Sequence, residues 1–557
     1  MKKKRFTLVC ACLLSGLSVF GQTGSFTDKP KLVIGVVVDQ MRWDYLQRFY
    51  PRFTEGGYKR LLNEGFSCEN TQLNYIPTVT AVGHSTIYTG SVPAITGIAG
   101  NEFYLNGLKV YCTTDYSVNP VGSSSPLGKM SPRNLLVTTI GDELKLSNNF
   151  KSKVVGVSLK DRASILPAGH SADAAYWFDD QTGRFITSSF YMEKLPQWVN
   201  EFNKRDLARA LMQREWNTLF PVDSYNECTP DDNNFERSFI KGEKPIYPIK
   251  TSELLRIHGY KSIRETPHGN TLTLEMAKAA IEGEKLGQED RTDMLTVSLS
   301  STDYIGHRFG TYSIETADTY YRLDRDLNEF ITFLDKKVGR DNYVLFLTAD
   351  HAAAHNFLFM QEHRIPAEGW VVSETLDDLN AFLQQSFQIK SNLVKEILNY
   401  QVYLNKEAVR EAGLEFATVK TRTCEFLSRN LTFAWVMDME NLNTVSVPEP
   451  VRERAVNGYN KSRSGDIQII MQPGCYNVTL EDGMGGTDHG VWNPYDSHIP
   501  LLFLGGRVGH GRSFDLVNIT DIAPTVCAIL GIQEPNGCVG QVIKPLLQNM
   551  KCLYQSE

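Results

Sequence analysis

Two Asp–His pairs in the sequence have the residue types and spacing to bind divalent metal ions. Asp303 and His307 are four positions apart, and Asp350 is followed directly by His351. In a helical turn, a spacing of four places both side chains on one face, where a carboxylate and an imidazole can hold one ion. Neither pair alone supplies the ligands that zinc requires, so further ligands must come from elsewhere in the chain. Two such pairs predict a site with two metal ions.

Each pair follows a predicted β-strand. Residues 294–299 and 343–348 are short apolar runs, the pattern of buried strands, and the two pairs come shortly after them. In an open α/β sheet, ligands and catalytic groups gather outside the carboxyl ends of the strands, so both pairs would meet at one sheet edge. An isolated Asp and His at this spacing are more commonly a surface pair or a helix cap. The second strand-end pair is what favours a metal site.

A third predicted strand also ends at a carboxylate. Residues 32–38 are continuously apolar, as expected for a central parallel strand that is covered on both faces, and Asp39 follows them. We expect this carboxylate at the same sheet edge as the two pairs. The alternative is that Asp39 caps the next helix, because aspartate is a common helix N-cap.

Thr80 is the candidate nucleophile. Pro77 interrupts any helix that precedes it, and a new helix can begin at Thr80 and end at Gly90. At a helix N-terminus, backbone N–H groups and the positive end of the helix dipole favour an anionic substrate, and a metal on the hydroxyl lowers its pKa. These features suit attack on phosphorus. The alternative is that Thr80 is an ordinary N-cap.

Two cations follow a fourth predicted strand, residues 154–158. In extended chain, Lys160 and Arg162 would project from one side, toward the same sheet edge. A phosphate monoester brings two negative charges, which an ammonium and a guanidinium can neutralise, whereas a diester brings one negative charge and a second bulky group. The pair therefore favours monoesters. The alternative is a solvated, charged turn.

The order of these features resembles the alkaline phosphatase superfamily of two-metal phosphoryl and sulfuryl transferases. The matching motifs are Asp39, the loop at 77–80, Asp303-x-x-x-His307, Asp350-His351 and Gly486-Thr487-Asp488-His489-Gly490. The sequence is most similar to the secreted, monomeric alkaline phosphatases that use a threonine nucleophile, from residue 32 to about residue 532. The resemblance implies a monomer with an α/β fold. In that fold, helices cover both faces of a mostly parallel central sheet, and large insertions form a cap.

The resemblance also implies roles for individual residues. One Zn²⁺ ion would be bound by Asp303, His307 and His489. The other would be bound by Asp39, Asp350, His351 and the oxygen of Thr80. The substrate phosphoryl group would contact Asn101, Lys160 and Arg162.

The predicted function is hydrolysis of small phosphate monoesters at two Zn²⁺ ions through a phosphothreonine intermediate, with release of inorganic phosphate. Phosphodiesterases and nucleotide pyrophosphatases of the same superfamily share the threonine and the zinc ligands, and only Lys160 and Arg162 count against them. A metal- or phosphate-binding protein without turnover would keep the histidines and carboxylates, but it would not need a hydroxyl beside three phosphate-binding groups. Sulfatase activity is disfavoured, because those enzymes need a modified Cys or Ser where Thr80 stands.

The N-terminus is typical of a secretory signal peptide. Four basic residues precede an apolar stretch too short to span a membrane, and cleavage after residue 21 would export the protein to the periplasm or the medium. Lipid attachment is an alternative. Loss of residues 1–21 changes the formal net charge from −7 to −11, because four basic residues and no acid are removed. This charge disfavours nucleic-acid binding, and no other apolar run is long enough for a transmembrane helix.

An even number of cysteines remains after residue 21, and in an exported chain this predicts disulfides. They are Cys68, Cys112, Cys228, Cys424, Cys475, Cys527, Cys538 and Cys552. Because Asp39 and His489 must meet at one site, residues 22–557 are predicted to form a single catalytic domain. Insertions are predicted at about 172–267 and 356–472, the second with helices at 377–385, 392–404 and 406–412.

Overall fold

The structure is a computed structural model that describes residues 29–442, 445–479 and 484–550. These residues fold around one large β-sheet with smaller sheets beside it. The strands are β1 (Leu32–Val38), β2 (Phe66–Gln72), β3 (Glu102–Leu105), β4 (Leu108–Tyr111), β5 (Pro120–Val121), β6 (Val154–Ser158), β7 (Ala174–Asp179), β8 (Arg184–Ser188), β9 (Asp293–Leu299), β10 (Tyr343–Thr348), β11 (Glu368–Trp370), β12 (Val394–Leu398), β13 (Gln401–Leu404), β14 (Phe433–Asp438), β15 (Ile467–Met471), β16 (Cys475–Asn477), β17 (His498–Ile499), β18 (Leu501–Gly505) and β19 (Gly511–Asn518).

The main sheet has 11 strands in the order β17-β2-β18-β10-β1-β9-β6-β7-β8-β5, with β19 paired to β2. Its central block, β10-β1-β9-β6-β7, is parallel throughout. Antiparallel pairs extend the sheet on both sides. The predicted α/β fold with a mostly parallel central sheet is therefore confirmed.

Helices connect the strands and cover the sheet. They are α1 (Tyr45–Arg48), α2 (Tyr58–Glu64), α3 (Thr80–Thr89), α4 (Pro93–Thr96), α5 (Ile140–Ser147), α6 (Asp161–Ala168), α7 (Gln197–Lys204), α8 (Leu207–Met212), α9 (Thr251–His258), α10 (His268–Glu284), α11 (Ser301–Phe309), α12 (Ile314–Lys337), α13 (Phe357–Glu362), α14 (Val372–Phe387), α15 (Lys406–Glu411), α16 (Phe416–Leu427), α17 (Glu449–Gly458), α18 (Pro494–Ser497), α19 (Ile522–Leu530) and α20 (Lys544–Gln548). Every residue of β1, β9 and β10 is buried, which requires cover on both faces of the sheet.

The parallel strands at the centre of the sheet end at a common edge. Val38 at the end of β1 pairs with Leu299 at the end of β9, and Val37 pairs with Thr348 at the end of β10. Residues that follow these strands therefore emerge side by side. This register is what brings the candidate ligands of three separate segments to one place.

The second insertion forms a lobe with its own four-stranded sheet, β12-β13-β15-β14, and its own hydrophobic core. Leu379, Val402 and Ile467 are fully buried in that core. The hydroxyl of Tyr400 donates to the carbonyl oxygen of His489 at 3.2 Å. The lobe therefore contacts a loop that carries a candidate metal ligand, as a cap over the site would.

One helix predicted in this lobe is wrong. Residues 392–404 contain the hairpin of β12 and β13, whereas the helices predicted at 377–385 and 406–412 are present as α14 and α15. Asn399 and Tyr400 form the two-residue turn, with φ of +54° and +59°. Positive φ at both positions is the geometry that joins two antiparallel strands tightly, so the turn reverses the chain where a helix would continue.

The first insertion begins inside the main sheet. β7 pairs in parallel with β6, and β8 pairs antiparallel with β7, so the chain from Ala174 to Ser188 belongs to the sheet. Helices α7, α8 and α9 follow before residue 267. The single-domain boundary at 22–557 stays a prediction.

The predicted disulfides are not formed among the described residues. Cys68, Cys112, Cys228, Cys424, Cys475, Cys527 and Cys538 are free. Several of them lie in different hydrophobic cores. Burial raises the pKa of Cys68 to about 12 and the pKa of Cys538 to about 11, which favours the thiol form of both. Cys552 and the predicted signal peptide lie outside the described residues. Within the described ranges, no helix is both long and apolar enough to cross a membrane.

Candidate active site

Helix α11 carries the first pair of candidate ligands. It starts two residues after β9 and places Asp303 in its first turn and His307 in its last. Nε2 of His307 lies 3.2 Å from Oδ1 of Asp303, as the four-residue spacing predicts. The side-chain amide of Gln40, just beyond β1, donates to the same oxygen at 2.8 Å. Asp303 is thus held by contacts with His307 of its own helix, which follows β9, and with Gln40, which follows β1.

His489 comes to the same carboxylate from the far end of the chain. Its Nε2 lies 3.7 Å from Oδ1 of Asp303. Nδ1 of His489 contacts the carbonyl oxygen of Thr78 at 2.7 Å, and Nδ1 of His307 contacts that of Thr487 at 2.9 Å. Because a carbonyl oxygen can only accept, each Nδ1 carries a proton, and Nε2 is the nitrogen that faces Asp303.

Asp39, Asp350 and His351 form a second group. Nε2 of His351 lies 3.6 Å from Oδ1 of Asp39 and 3.6 Å from Oδ2 of Asp350. All three side chains are fully buried, and Nδ1 of His351 contacts the carbonyl oxygen of Ala352 at 3.0 Å. Oδ1 of Asp39 and Nε2 of His351 have no hydrogen-bond partner among the described residues. Buried polar atoms without partners are costly, so these two atoms fit a bound cation.

The two groups adjoin and have the chemistry of zinc ligands. The rings of His351 and His489 stack with centroids 3.6 Å apart. Ligand atoms of Asp303, His351 and His489 all lie within 4.8 Å of one another, and so do those of Asp39, Asp350 and His351. Carboxylate oxygens and imidazole nitrogens are typical zinc ligands. The structure thus brings predicted ligand side chains together in clusters whose oxygen and nitrogen atoms could hold a metal ion.

Thr80 is the first residue of α3, and the helix ends at Gly90, which has φ of +63°. Both bounds agree with the sequence prediction. The N-cap position belongs to Val79, and no side chain caps the helix, so Thr80 does not serve as a cap. Its side chain is buried, and Oγ1 lies 3.4 Å from Nζ of Lys160. The hydroxyl therefore lies between the helix N-terminus and a buried cation.

Asn101 and Lys160 reach this place from two other segments. The N–H of Ala81, next to Thr80, donates to Oδ1 of Asn101 at 3.0 Å, which leaves the side-chain NH₂ of Asn101 free to donate elsewhere. The ammonium of Lys160 is 2.7 Å from Oδ2 of Asp39 and 2.6 Å from Oδ2 of Asp303. It thus connects one carboxylate of each metal-ligand group.

Arg162 is placed by a helix, so the expectation that it follows Lys160 in extended chain is wrong. Lys160 is extended, with φ of −88° and ψ of 131°, but α6 begins at Asp161. Aspartate in a first turn stabilises the positive end of a helix, which explains this start. Nη1 of Arg162 donates to the hydroxyl of Tyr111 at 3.1 Å, and that hydroxyl donates to Asp161 at 2.9 Å. Burial opposes the charge of Lys160 while Asp303 and Asp39 raise its pKa overall, and Arg162 is close enough for its charge to oppose part of that rise.

Burial and charge together set the protonation of the site. Burial raises the pKa of Asp39, and the charges of Asp303 and Asp350 raise it further. Burial by itself lowers the pKa of Lys160, but Asp303 and Asp39 outweigh it and raise that pKa overall. Burial also opposes the charge of His307, yet Asp303 raises the pKa of His307 to about 9. In the protein alone, Lys160 and His307 therefore offset the charge of the carboxylates.

Sequence reasoning missed residues that support these groups. Nδ1 of His84 lies 2.8 Å from the carbonyl oxygen of Thr80 and 3.1 Å from Oδ2 of Asp350, and its Nε2 contacts Ser298 at 2.8 Å. The backbone N–H of Gln40 donates to Oδ1 of Asp350 at 3.2 Å. The spacing of four between Thr80 and His84 on one helix face could have identified His84.

Two acidic residues were also missed. Oδ1 of Asp488 accepts from the N–H of His489 at 2.9 Å and lies 3.8 Å from Nδ1 of His307. Its place inside the Gly486–Gly490 motif was a signal for it. Asp496 contacts Thr78, which precedes α3, and Gly490, which follows His489, and no local pattern indicated it.

Comparison with known proteins assigns the family. Residues 33–495 match the family described as type I phosphodiesterase / nucleotide pyrophosphatase. The chain belongs to this family. Membership confirms the predicted relation to the alkaline phosphatase superfamily, whose members are metal-dependent.

Known relatives match this chain over nearly their whole lengths. The chain is 49% identical over 544 residues to alkaline phosphatase PafA of Elizabethkingia meningoseptica, covering 96% of this chain and 98% of that one. It is 51% identical over 526 residues to a Myroides odoratus protein named calcium-transporting ATPase, covering 94% and 95%. It is 49% identical over 533 residues to alkaline phosphatase PhoV of Synechococcus elongatus, covering 95% of each chain.

Solved structures agree with the fold. The crystal structure of wild-type PafA matches with a TM-score of 0.90 at 49% identity, over 93% of this chain and 99% of that chain. A second PafA structure matches with a TM-score of 0.89 and carries substitutions at a threonine, an asparagine, a lysine and an arginine.

Proposed function

We propose that this protein is an exported alkaline phosphatase that hydrolyses small phosphate monoesters at two zinc ions through a phosphothreonine intermediate. The position of Thr80 carries the proposal. Its hydroxyl is buried at the N-terminus of α3 without a capping role, 3.4 Å from the ammonium of Lys160, which itself contacts Asp39 and Asp303. A hydroxyl held beside two metal-ligand groups has the placement of a nucleophile.

The two side-chain groups would each hold one zinc ion. One zinc would be bound by Asp303, His307 and His489. The other would be bound by Asp39, Asp350, His351 and the hydroxyl oxygen of Thr80. When bound, zinc supplies Lewis-acid stabilisation of negative charge on the reacting oxygens.

The protein's own side chains bind and orient the phosphoryl group. The NH₂ of Asn101 donates to a non-bridging oxygen of the phosphoryl group. Lys160 and Arg162 neutralise the negative charges of that group. Thr80 Oγ gives up its proton and attacks phosphorus in line as the bond from phosphorus to the leaving oxygen breaks, which gives a phosphothreonine and an alkoxide that takes up a proton and departs as the alcohol. Water then attacks phosphorus, so that inorganic phosphate and the free Thr80 hydroxyl are released. The N–H groups at the start of α3 favour the anion throughout.

Lys160 changes partners in this scheme. In the protein alone its ammonium contacts the carboxylates of Asp39 and Asp303. When those carboxylates bind cations, their attraction for the ammonium falls, and Lys160 is free to turn toward a phosphoryl group at Thr80. A move of this kind is short, because Nζ is already 3.4 Å from Oγ1 of Thr80.

The names of relatives support monoester hydrolysis. PafA and PhoV are named alkaline phosphatases, and both match almost the whole chain. The residue types substituted in the second PafA structure, a threonine, an asparagine, a lysine and an arginine, follow the chain order of Thr80, Asn101, Lys160 and Arg162.

Phosphodiester hydrolysis is the second candidate, and the description of the matching family favours it. The threonine and the metal ligands would serve both reactions equally. Lys160 and Arg162 separate them, because two cations match the charge of a monoester better than the single charge of a diester.

The test is release of inorganic phosphate by the purified protein from an aryl phosphate and from ATP. We expect turnover to be lost on chelation and restored by zinc, and to be abolished in Thr80→Ala while Thr80→Ser keeps part of it. A burst of alcohol product before steady-state turnover would report the phosphothreonine. Undiminished turnover by Thr80→Ala would exclude the covalent route, and zinc binding without any turnover would favour a binding protein.

Export and a monomeric state belong to the same proposal. If residues 1–21 are a signal peptide, the exported protein begins at Gln22, which N-terminal sequencing of the periplasmic or secreted fraction checks. Analytical ultracentrifugation should give one species of monomer mass. An unprocessed N-terminus or a stable larger species would contradict these two parts without affecting the chemistry.

A further inference from the structure

Asp496 lies at the junction of segments that carry candidate catalytic residues. It belongs to α18 and is fully buried. Its Oδ2 accepts hydrogen bonds from the hydroxyl of Thr78 at 2.8 Å, from the N–H of Gly490 at 2.8 Å and from the N–H of Val491 at 2.7 Å. One carboxylate oxygen therefore joins the segment that leads into α3 to the loop that follows the last candidate ligand.

The backbone of Asp496 reaches a third segment. Its carbonyl oxygen accepts from the N–H of Ala352 at 2.8 Å, and Ala352 directly follows His351. Through its side chain and its backbone, Asp496 thus contacts residues close in sequence to Thr80, the candidate nucleophile. It also contacts the residues that directly follow one ligand of each metal group, His489 and His351. All of these contacts are buried, where a hydrogen bond is costly to lose.

Thr78, whose hydroxyl contacts Asp496, also contacts the ring of His489. Its carbonyl oxygen accepts from Nδ1 of His489 at 2.7 Å, and the N–H of Gly490 lies 3.1 Å from its hydroxyl. The bond to Nδ1 selects the tautomer that presents Nε2 toward Asp303. Groups that orient a ligand histidine in this way change metal affinity by about 10- to 100-fold when they are removed.

We propose that Asp496 is a positioning residue for the two-metal site, which holds Thr78 against Gly490 and so sets the tautomer and direction of His489 and the place of Thr80 beside it. This inference rests on the zinc site of the proposed function. Asp496 acts through Thr78 and the backbone, and it contacts no reacting atom.

The experiment measures zinc affinity of the full, metal-free chain by competition with a chromogenic chelator, and the ring state of His489 by ¹⁵N NMR. Asp496→Ala removes the acceptor, and we expect zinc to bind about 10- to 100-fold more weakly, with loss of the protonated Nδ1 signal of His489. Thr78→Val keeps the shape but removes the hydroxyl, which contacts Asp496, the carbonyl oxygen of Val491 and the N–H of Gly490, so its effect should have the same direction and be smaller. Asp496→Asn keeps one acceptor oxygen and should restore affinity close to wild type.

Ser497→Ala is the matched control, because it removes a hydrogen bond of the neighbouring residue, from Oγ to Gln72 at 3.2 Å, without touching Thr78 or Gly490. It should leave zinc affinity and the His489 ring unchanged. Folded Asp496→Ala and Thr78→Val proteins with wild-type zinc affinity and an unchanged ring would overturn the inference; if Asp496→Ala does not fold, Thr78→Val decides alone. A wild-type chain that binds no zinc would contradict the proposed function, and the ring state of the metal-free chain would still decide the role of Asp496.

Discussion

The ammonium of Lys160 lies 2.6 Å from a carboxylate oxygen of Asp303, and both side chains are almost completely buried. The same ammonium contacts Asp39 at 2.7 Å. In the protein without metal, one lysine therefore balances the negative charge of two buried carboxylates. In a site with metal bound, the metal cations would balance that charge instead. Removing one partner of a buried ion pair leaves an uncompensated charge, so Lys160 should matter in different ways with and without metal.

Lys160→Ala should destabilise the metal-free protein much more than the zinc-loaded protein. The expected loss without metal is about 3 kcal/mol of unfolding free energy, because Asp39 and Asp303 lose their cation. Zinc supplies the missing charge and should remove most of this loss. Urea unfolding with chelator and with saturating zinc measures both values.

The control for this measurement is Lys337→Ala, whose ammonium at the end of α12 pairs with the exposed carboxylate of Glu282 on α10 at 2.8 Å. An exposed pair of this kind contributes about 1 kcal/mol or less, with or without zinc. Equal destabilisation of Lys160→Ala in both conditions would contradict the exchange of partners proposed for Lys160.

Lys160→Ala should also shift the preference of the enzyme from monoesters toward diesters. Loss of a preorganised cation at the phosphoryl group should lower kcat/KM for an aryl phosphate by about 100-fold. The effect on the corresponding methyl aryl diester should be smaller, because that substrate carries one charge fewer. Steady-state assays of both substrates give the ratio, and Arg162→Ala should change it in the same direction. If the ratio of kcat/KM for the monoester to that for the diester is unchanged in both variants, phosphodiester hydrolysis becomes the favoured function.

His268 predicts how stability depends on pH. It is almost fully buried at the start of α10, with Nε2 at 3.2 Å from the carbonyl oxygen of Arg214, and burial lowers the pKa of His268 to about 4. The folded state therefore favours the neutral ring. Its contribution is present above pH 6.5, the ordinary pKa of histidine, and is lost as the pH falls from 6.5 to 4. The loss amounts to about 3 kcal/mol.

Urea unfolding at pH 7 and at pH 4 checks the role of His268. His268→Gln keeps a donor for the carbonyl oxygen and cannot be protonated, so it should lose less stability on acidification than the wild type. His363→Gln, at an exposed position, should behave like the wild type. If His268→Gln and the wild type are equally sensitive to acid, another group causes the acid loss.

The free cysteines predict the redox state of the purified protein. Thiol titration after denaturation, without reductant, should detect at least seven thiols per chain. The mass should not change on reduction. A lower count, or a mass gain after reduction and alkylation that fits paired cysteines, would restore the disulfides expected from the even number of cysteines.

Local patterns were sufficient for the centre of the fold. β1, β9 and β10 were predicted within one residue, because a continuous apolar run bounded by polar residues indicates a strand buried on both faces. The helix from Thr80 to the turn at Gly90 was predicted for a similar reason, since Pro and Gly mark its ends. Strand ends then predicted that Asp39, Asp303 and Asp350 share a sheet edge.

Predictions failed where one local pattern was compatible with two structures. Residues 392–404 have apolar positions that suit a helix or two short strands, and the left-handed turn at Asn399 and Tyr400 decided for the hairpin. Lys160 and Arg162 were expected in extended chain, but Asp161 begins a helix between them. In both cases a turn or a helix start outweighed the periodicity.

The sequence by itself determined the chemical types of the site and the strands that present them, because burial of a strand and the spacing of four in a helix are local properties. The family resemblance implied that His489 meets Asp303, although no local pattern showed it. Only the tertiary structure decided that Asp496 contacts Thr78, 418 positions away. Hydrophobic periodicity reports that a segment is buried but not which segment it faces. That choice is made by the register of the sheet and the packing of its loops, which exist only in the folded chain.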